Sequence, residues 1–126
     1  MADILVVDDS KVMREMIVAC LRADGFSFTH AQSGLEAIEK LALKPFDLVV
    51  LDLNMPDIGG IEVIEFIRSQ DRLRRLPILV VTTRGDDESK ARALGAGATQ
   101  FMTKPFTPDG IQNEAARLIG GANEGR

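Results

Sequence analysis

Five polar residues stand at the exits of short apolar runs, and together they have the chemistry to handle a metal ion and a phosphoryl group. Asp8 and Asp9 follow Ile4-Leu5-Val6-Val7, and Asp52 follows Leu48-Val49-Val50-Leu51. Thr82 follows Ile78-Leu79-Val80-Val81, and Lys104 follows the shorter stretch Gln100-Phe101-Met102-Thr103. Crowded carboxylates raise one another's proton affinity, and a bound cation relieves that strain. Oxygen-only ligands with no nearby His or Cys favour Mg2+ over Zn2+. Asp52 ends the most central run and is the best-placed nucleophile, because a carboxylate can attack phosphorus to give an acyl phosphate. The Lys104 ammonium would offset phosphoryl charge, and the Thr82 hydroxyl would donate to a phosphoryl oxygen. Taken singly, each residue also has an ordinary reading. A strand-end Asp is commonly a turn or cap residue, Asp8-Asp9 could merely cap a helix, Thr82 suits a strand, and Lys104 suits a solvated loop. Their joint arrival at one rim separates the two readings.

The elements that would deliver them alternate along the chain. Runs rich in Val, Ile and Leu between helical patterns read as buried parallel strands. Strands are expected at about Asp3 to Asp8, Phe26 to Ala31, Asp47 to Asp52, up to Thr82, and Thr99 to Met102. The second is the weakest and belongs near a sheet edge. The first helix is expected from Ser10 to Asp24, with Met13, Met16, Ile17, Cys20 and Leu21 on its buried face and Gly25 as its stop. Ser33 and Glu36 form a capping box for the second, whose apolar face reads as Leu35, Ile38, Leu41 and Ala42 and which Pro45 ends. A loop from Leu53 to Gly59 leads to the third, Gly60 to Ser69, with Val63, Ile64 and Ile67 inward. The fourth, Asp86 to Leu94, opens with acids that suit its dipole but has few large apolar residues, so it should be loosely held. Thr107 and Pro108 start the fifth, which buries Ile111, Ala115, Leu118 and Ile119.

Strictly alternating βα units give an α/β fold. The expected architecture is a doubly wound five-stranded parallel sheet in the flavodoxin-like order 2-1-3-4-5, with five helices. Ligands bind beyond the carboxyl ends of such strands, at the switch point between strands one and three. Those strands carry the acids.

The 126 residues suit one domain spanning 1–126, with Gly120 to Arg126 as a frayed tail. A net charge of −4 argues against a nucleic-acid-binding surface. The single Cys, Cys20, excludes an internal disulfide and reads as a buried inert thiol. No apolar stretch approaches the roughly 20 residues of a membrane span, and no signal peptide is visible, so the expected location is the cytoplasm. His30, the only His, lacks metal-ligand spacing and reads as a surface or edge residue.

The chain resembles the receiver domain of two-component response regulators, and within that family the single-domain chemotaxis regulators. The matching pieces are Asp8-Asp9, Leu51-Asp52-Leu53-Asn54-Met55-Pro56, Val81-Thr82 and Lys104-Pro105-Phe106, in the family's order and covering about Asp3 to Ile119. The resemblance implies that Asp52 is the phosphoacceptor. Asp9, Asp52 and the Asn54 backbone carbonyl would bind Mg2+ directly, with Asp8 acting mainly through metal-bound water. Thr82 and Lys104 would contact the phosphoryl group, and Lys104-Pro105 would be cis. Phe101 stands where the family has a switch aromatic that turns inward on activation, although it also reads as a core aromatic. Thr83 stands where the family often has Ala or Gly, and Arg84 could lie over the site or face water. The implied partners are a sensor histidine kinase or phosphotransfer protein, and a downstream target such as a flagellar motor switch, a kinase or a phosphatase. The output surface would be the fourth helix, fifth strand and fifth helix of a monomer that catalyses only its own phosphorylation and dephosphorylation. Met1 and the short tail lean towards a free-standing regulator.

Two other functions compete. A haloacid-dehalogenase-type phosphohydrolase also uses an Asp nucleophile after a buried strand. It wants a second Asp two residues on, where this chain has Asn54, and it places its acidic pair late. The third reading is a phosphorylation-independent binding module, against which the intact acid set argues. The Arg72, Arg74 and Arg75 cluster reads as a solvated loop. Gly95-Ala96-Gly97 lies before a strand rather than after one, so it is not a dinucleotide fingerprint.

Overall fold

In the computed structural model, which describes residues 2–22 and 25–124, five parallel strands form one sheet in the order β2-β1-β3-β4-β5. The strands are β1 (Ala2–Val7), β2 (Phe26–Ala31), β3 (Leu48–Leu51), β4 (Ile78–Thr82) and β5 (Gln100–Thr103). The helices between and after them are α1 (Lys11–Leu21), α2 (Gly34–Leu43), α3 (Gly60–Ser69), α4 (Asp87–Ala96) and α5 (Pro108–Glu124). Apart from the C-terminal ends of α1 and α5, element ends shift from the sequence expectation by a residue or two, and the doubly wound topology is as expected.

Successive strand side chains point to opposite faces, and this splits the core in two. Leu5, Val7, Val49, Leu51, Ile78 and Val80 pack on one side with α2, α3 and α4 residues. Ile4, Val6, Leu48, Val50, Leu79 and Val81 pack on the other with α1 and α5. Strands covered on both faces have no solvent side, which is why they read as unbroken apolar runs.

Four expectations are corrected. The buried face of α1 is Arg14, Ile17, Val18 and Leu21, whereas Met16 is exposed and Cys20 is only half-buried. The expected end of α1 at Asp24 is replaced by Leu21; Ala23 and Asp24 lie outside the described residues. On α2 the inward residues are Gly34, Ala37 and Leu41, and Leu35 and Ala42 face solvent. Here the loop after β3 presses on the start of the helix: a Cβ on Gly34 would lie 2.4 Å from Ile58 Cγ1. Finally, α5 continues to Glu124 through most of the expected tail; Gly125 and Arg126 lie outside the described residues.

The helices α3 and α5 bury their expected stripes, except that Ile119 is half-buried. Only Ala93 of α4 is buried, so this helix rests on its neighbours through a thin contact.

Candidate functional site: an acidic pocket at the sheet switch point

The ladder between β1 and β3 brings the acids together. Val7 pairs with Leu51, and the Asp52 N–H donates to the Val7 carbonyl at 3.0 Å, so Asp8 and Asp52 leave adjacent strands side by side. Carboxylate oxygens of Asp8, Asp9 and Asp52 all lie within 4.8 Å of one another. Asp8 and Asp52 are buried and Asp9 is exposed. The short turn after β1 is fixed by Asp8 Oδ1, which accepts from the Ser10 N–H at 2.9 Å, while Ser10 caps α1.

Lys104 reaches this cluster from β5. Its Nζ lies 2.8 Å from Asp8 Oδ2 and 3.6 Å from Asp52 Oδ2. The Lys104 N–H donates to the Thr82 carbonyl at 2.8 Å, which ties the lysine to the end of β4. The Lys104–Pro105 peptide is cis. Thr82 is fully buried, and its Oγ1 accepts from the Arg84 N–H at 3.3 Å. Asn54 is exposed on the loop after Asp52.

Asp52 is left incompletely satisfied. Its Oδ1 is a buried oxygen with no hydrogen-bond partner. Burial pushes its carboxyl above the ordinary carboxylate range; the Lys104 ammonium opposes this and the Asp8 charge adds to it. A buried acceptor without a donor costs free energy. A hard cation would bring the missing contact, and three carboxylates fit Mg2+ or a similar ion.

Phe101 is buried within the cluster on the α3 and α4 side, opposite Val80 of β4. The inward position is therefore the one this structure holds. Arg84 is exposed and, among the described residues, forms no ion pair.

Several supporting residues escaped sequence reasoning. Arg14, nearly buried, donates through Nη1 to the Asp8 carbonyl at 2.6 Å and through Nε to His30 Nδ1 at 3.2 Å. His30 lies on the edge strand β2, as expected, and is there a half-buried acceptor. The signal for Arg14 was its helical spacing with Ile17 and Leu21. Gly60 is needed where α3 starts: a Cβ there would lie 2.6 Å from the Asp52 carbonyl oxygen. Asp57 accepts from the Gly34 and Leu35 N–H groups of α2 at 3.0 and 2.9 Å. No local pattern in the sequence links these two loops.

A doubly wound sheet with paired acids after β1, a third after β3 and a lysine after β5 defines a receiver fold. The chain belongs to the response regulator receiver domain family, whose sequence profile matches residues 4–116. Among curated relatives, it is 36% identical to chemotaxis protein CheY1 of Helicobacter pylori over 123 residues, covering 96% of this chain and 98% of that protein. It is 40% identical to chemotaxis protein CheY-3 of Vibrio cholerae over 117 residues, covering 92% and 90%. The solved structure of the chemotaxis response regulator CheY4 of Vibrio cholerae superposes with a TM-score of 0.87 at 35% identity, covering 94% of this chain and 98% of that one. Family membership makes the chain a signalling receiver and removes the support for a dehalogenase-type phosphohydrolase. Among the described residues no helix is long and apolar enough to cross a membrane.

Proposed function

We propose that this protein is a phosphorylation-operated switch in which Asp52 accepts a phosphoryl group from a histidine kinase or phosphotransfer protein. The observation that carries the reading is the buried Asp52 carboxylate, with one oxygen unpartnered and the other 3.6 Å from the Lys104 ammonium. An Asp52 oxygen forms a bond to phosphorus as the bond to the donor imidazole breaks. The leaving nitrogen keeps the electron pair, and the imidazole departs neutral with its proton on the other ring nitrogen. Asp8, Asp9 and Asp52, with the Asn54 backbone carbonyl, would hold Mg2+, which when bound neutralises charge between the acids and the phosphoryl oxygens. Lys104 turns from Asp8 towards the new phosphoryl oxygens, and the Thr82 hydroxyl donates to another of them.

The phosphoryl group brings about −1.5 to −2 of charge to the pocket. Lys104 and Thr82 sit at the ends of β5 and β4, so their movement reaches α4, the helix with the thinnest buried face. The face formed by α4, β5 and α5 then changes its affinity for a protein target. The relatives named for chemotaxis support a role in that process, with a flagellar motor switch, a kinase or a phosphatase as the target and the cytoplasm as the location.

Incubation with acetyl phosphate and Mg2+ tests the assignment. Intact-mass spectrometry should show one added phosphoryl group on the wild type and none on Asp52→Asn. Equal labelling of the two proteins would refute it.

A further inference from the structure

The loop from Leu53 to Gly59, which carries Asn54, follows directly after Asp52 and is fastened at two places. Its base is closed by the Gly60 N–H, which donates to the Leu53 carbonyl at 3.0 Å. Its far side is held by Asp57, whose two carboxylate oxygens each accept one N–H at the start of α2, from Gly34 and Leu35. The N–H of Leu35 is the chief reason the Asp57 carboxyl is held down at about 2. Ser33, the cap of α2 itself, covers the next N–H, that of Glu36, at 3.1 Å. The first turn of α2 is therefore satisfied by two elements: its own cap and a side chain from the loop after β3.

The loop also packs where Asp57 bonds. Ile58 covers Gly34 so closely that a Cβ at that position would lie 2.9 Å from the Ile58 carbonyl oxygen. Met55 and Ile58 rest on the core cluster that contains Leu51, Leu53 and Val63. Asn54 lies between the two fastening points, so its carbonyl is set by how firmly both hold.

We infer that Asp57 is a positioning residue for the metal and phosphoryl site: its forked hold on the start of α2 fixes the loop that presents the Asn54 carbonyl beside Asp52. This rests on the phosphoacceptor reading above. Asp57 touches neither metal nor phosphoryl group. It acts through backbone geometry, so its loss weakens Mg2+ binding rather than removing the nucleophile. Asn at this position keeps one acceptor oxygen and loses the other, and an Ala keeps neither.

The test compares the wild type with Asp57→Ala, Asp57→Asn and Ser33→Ala. Mg2+ affinity is read by titration calorimetry, and phosphorylation by acetyl phosphate is followed across a range of Mg2+ concentrations. Loss of outer-shell partners typically weakens metal binding by about 10–100-fold. Asp57 acts one step further out, so Asp57→Ala should fall at the low end, near tenfold, with its rate largely recovered at saturating Mg2+. Asp57→Asn should show a smaller loss in the same direction. Ser33→Ala removes a cap from the same helix and the weakest of the Asp57 contacts while leaving its backbone donors in place, so it should lower thermal stability and change Mg2+ affinity less than either Asp57 variant. If Asp57→Ala fails to fold, the Asn variant carries the comparison. Equal Mg2+ affinity in the wild type and the Asp57 variants would overturn the inference while leaving Asp52 as phosphoacceptor. A wild type that takes up neither Mg2+ nor a phosphoryl group would overturn both.

Discussion

The Lys104 ammonium and the Asp8 carboxylate, 96 positions apart in sequence, meet at 2.8 Å inside the pocket. Among the described residues, Lys104 is the one cation within ion-pair distance of Asp8 or Asp52. It serves as a counter-ion for acids that have no other. Removing one partner of a buried pair leaves an uncompensated charge, at a cost of up to about 3–5 kcal/mol. Lys104→Met should therefore melt well below the wild type in EDTA, and Mg2+ should recover most of the difference. Its phosphorylation by acetyl phosphate should slow by about 100-fold or more, the usual effect of losing one stabilising donor. Melting curves that superpose in EDTA would exclude the counter-ion role.

Asp52 and Asp57 give opposite pH dependences. The folded pKa of Asp52 lies above its ordinary value of 3.8, so the folded state holds that proton more tightly than the unfolded chain does. Its contribution is present below 3.8 and is lost as pH rises through the folded value, so it opposes folding at neutral pH. Asp52→Asn should thus be more stable than the wild type in EDTA, and the gap should widen as pH rises from about 4. Asp57 is lowered from 3.8 to about 2, so its contribution is present above 3.8 and lost as pH falls through about 2. The wild type should keep an advantage over Asp57→Asn near neutrality that fades in strong acid. Urea unfolding midpoints measured across pH in EDTA check both signs.

The sheet and the acid cluster were legible because strand patterns and strand-end chemistry are local. A short Val- and Leu-rich run such as Leu48 to Leu51, set between helical patterns, reads as a doubly covered strand, and topology then brings Asp8, Asp9 and Asp52 to one place. What escaped depends on contacts between distant segments. On α1, size and polarity put Met16 inward and Arg14 outward, but the Asp8 carbonyl and His30 supply polar partners that a buried guanidinium needs. Gly34 replaces Leu35 on the inner face of α2 because Ile58 arrives from another loop. Arg72, Arg74 and Arg75 are exposed as expected, but the bond from Arg72 Nη2 to the Leu41 carbonyl at 2.7 Å was not foreseen.

Arg68 shows the same limit at the opposite end of the sheet. Its guanidinium donates to the carbonyls of Gly97, Leu73, Arg74 and Leu76 and to Thr99 Oγ1. Gly97 ends α4 with φ +121°, and a Cβ there would lie 2.6 Å from Arg68 Cγ. One side chain thereby pins the C-terminal end of a helix that buries only Ala93. Arg68→Ala should destabilise the fold by about 2 kcal/mol, since orphaned acceptors each cost about 1–3 when buried and less when partly wet. Hydrogen exchange should quicken across α4 more than across α3. Arg68→Lys should not rescue it, because a point ammonium cannot span the carbonyls that the planar fork reaches. Unchanged exchange in α4 would show that its other contacts suffice.

The rest position of Phe101 can be read from stability alone. The family role implied for this position is an aromatic that moves inward on activation, yet here the ring is 9% exposed and packs beneath α3 and α4. Having no phenol oxygen, it forfeits no hydrogen bond to water by staying inside. Truncating a buried aromatic costs about 3–5 kcal/mol, whereas truncating one that spends its time in solvent costs within about 0.5 kcal/mol. Phe101→Ala, measured by urea unfolding of unphosphorylated protein in EDTA, should show the larger loss. In that case phosphorylation acts through Thr82, Lys104 and α4 on a ring already seated. A loss below about 0.5 kcal/mol would mean that the ring lies outward before phosphorylation and is itself the moving part.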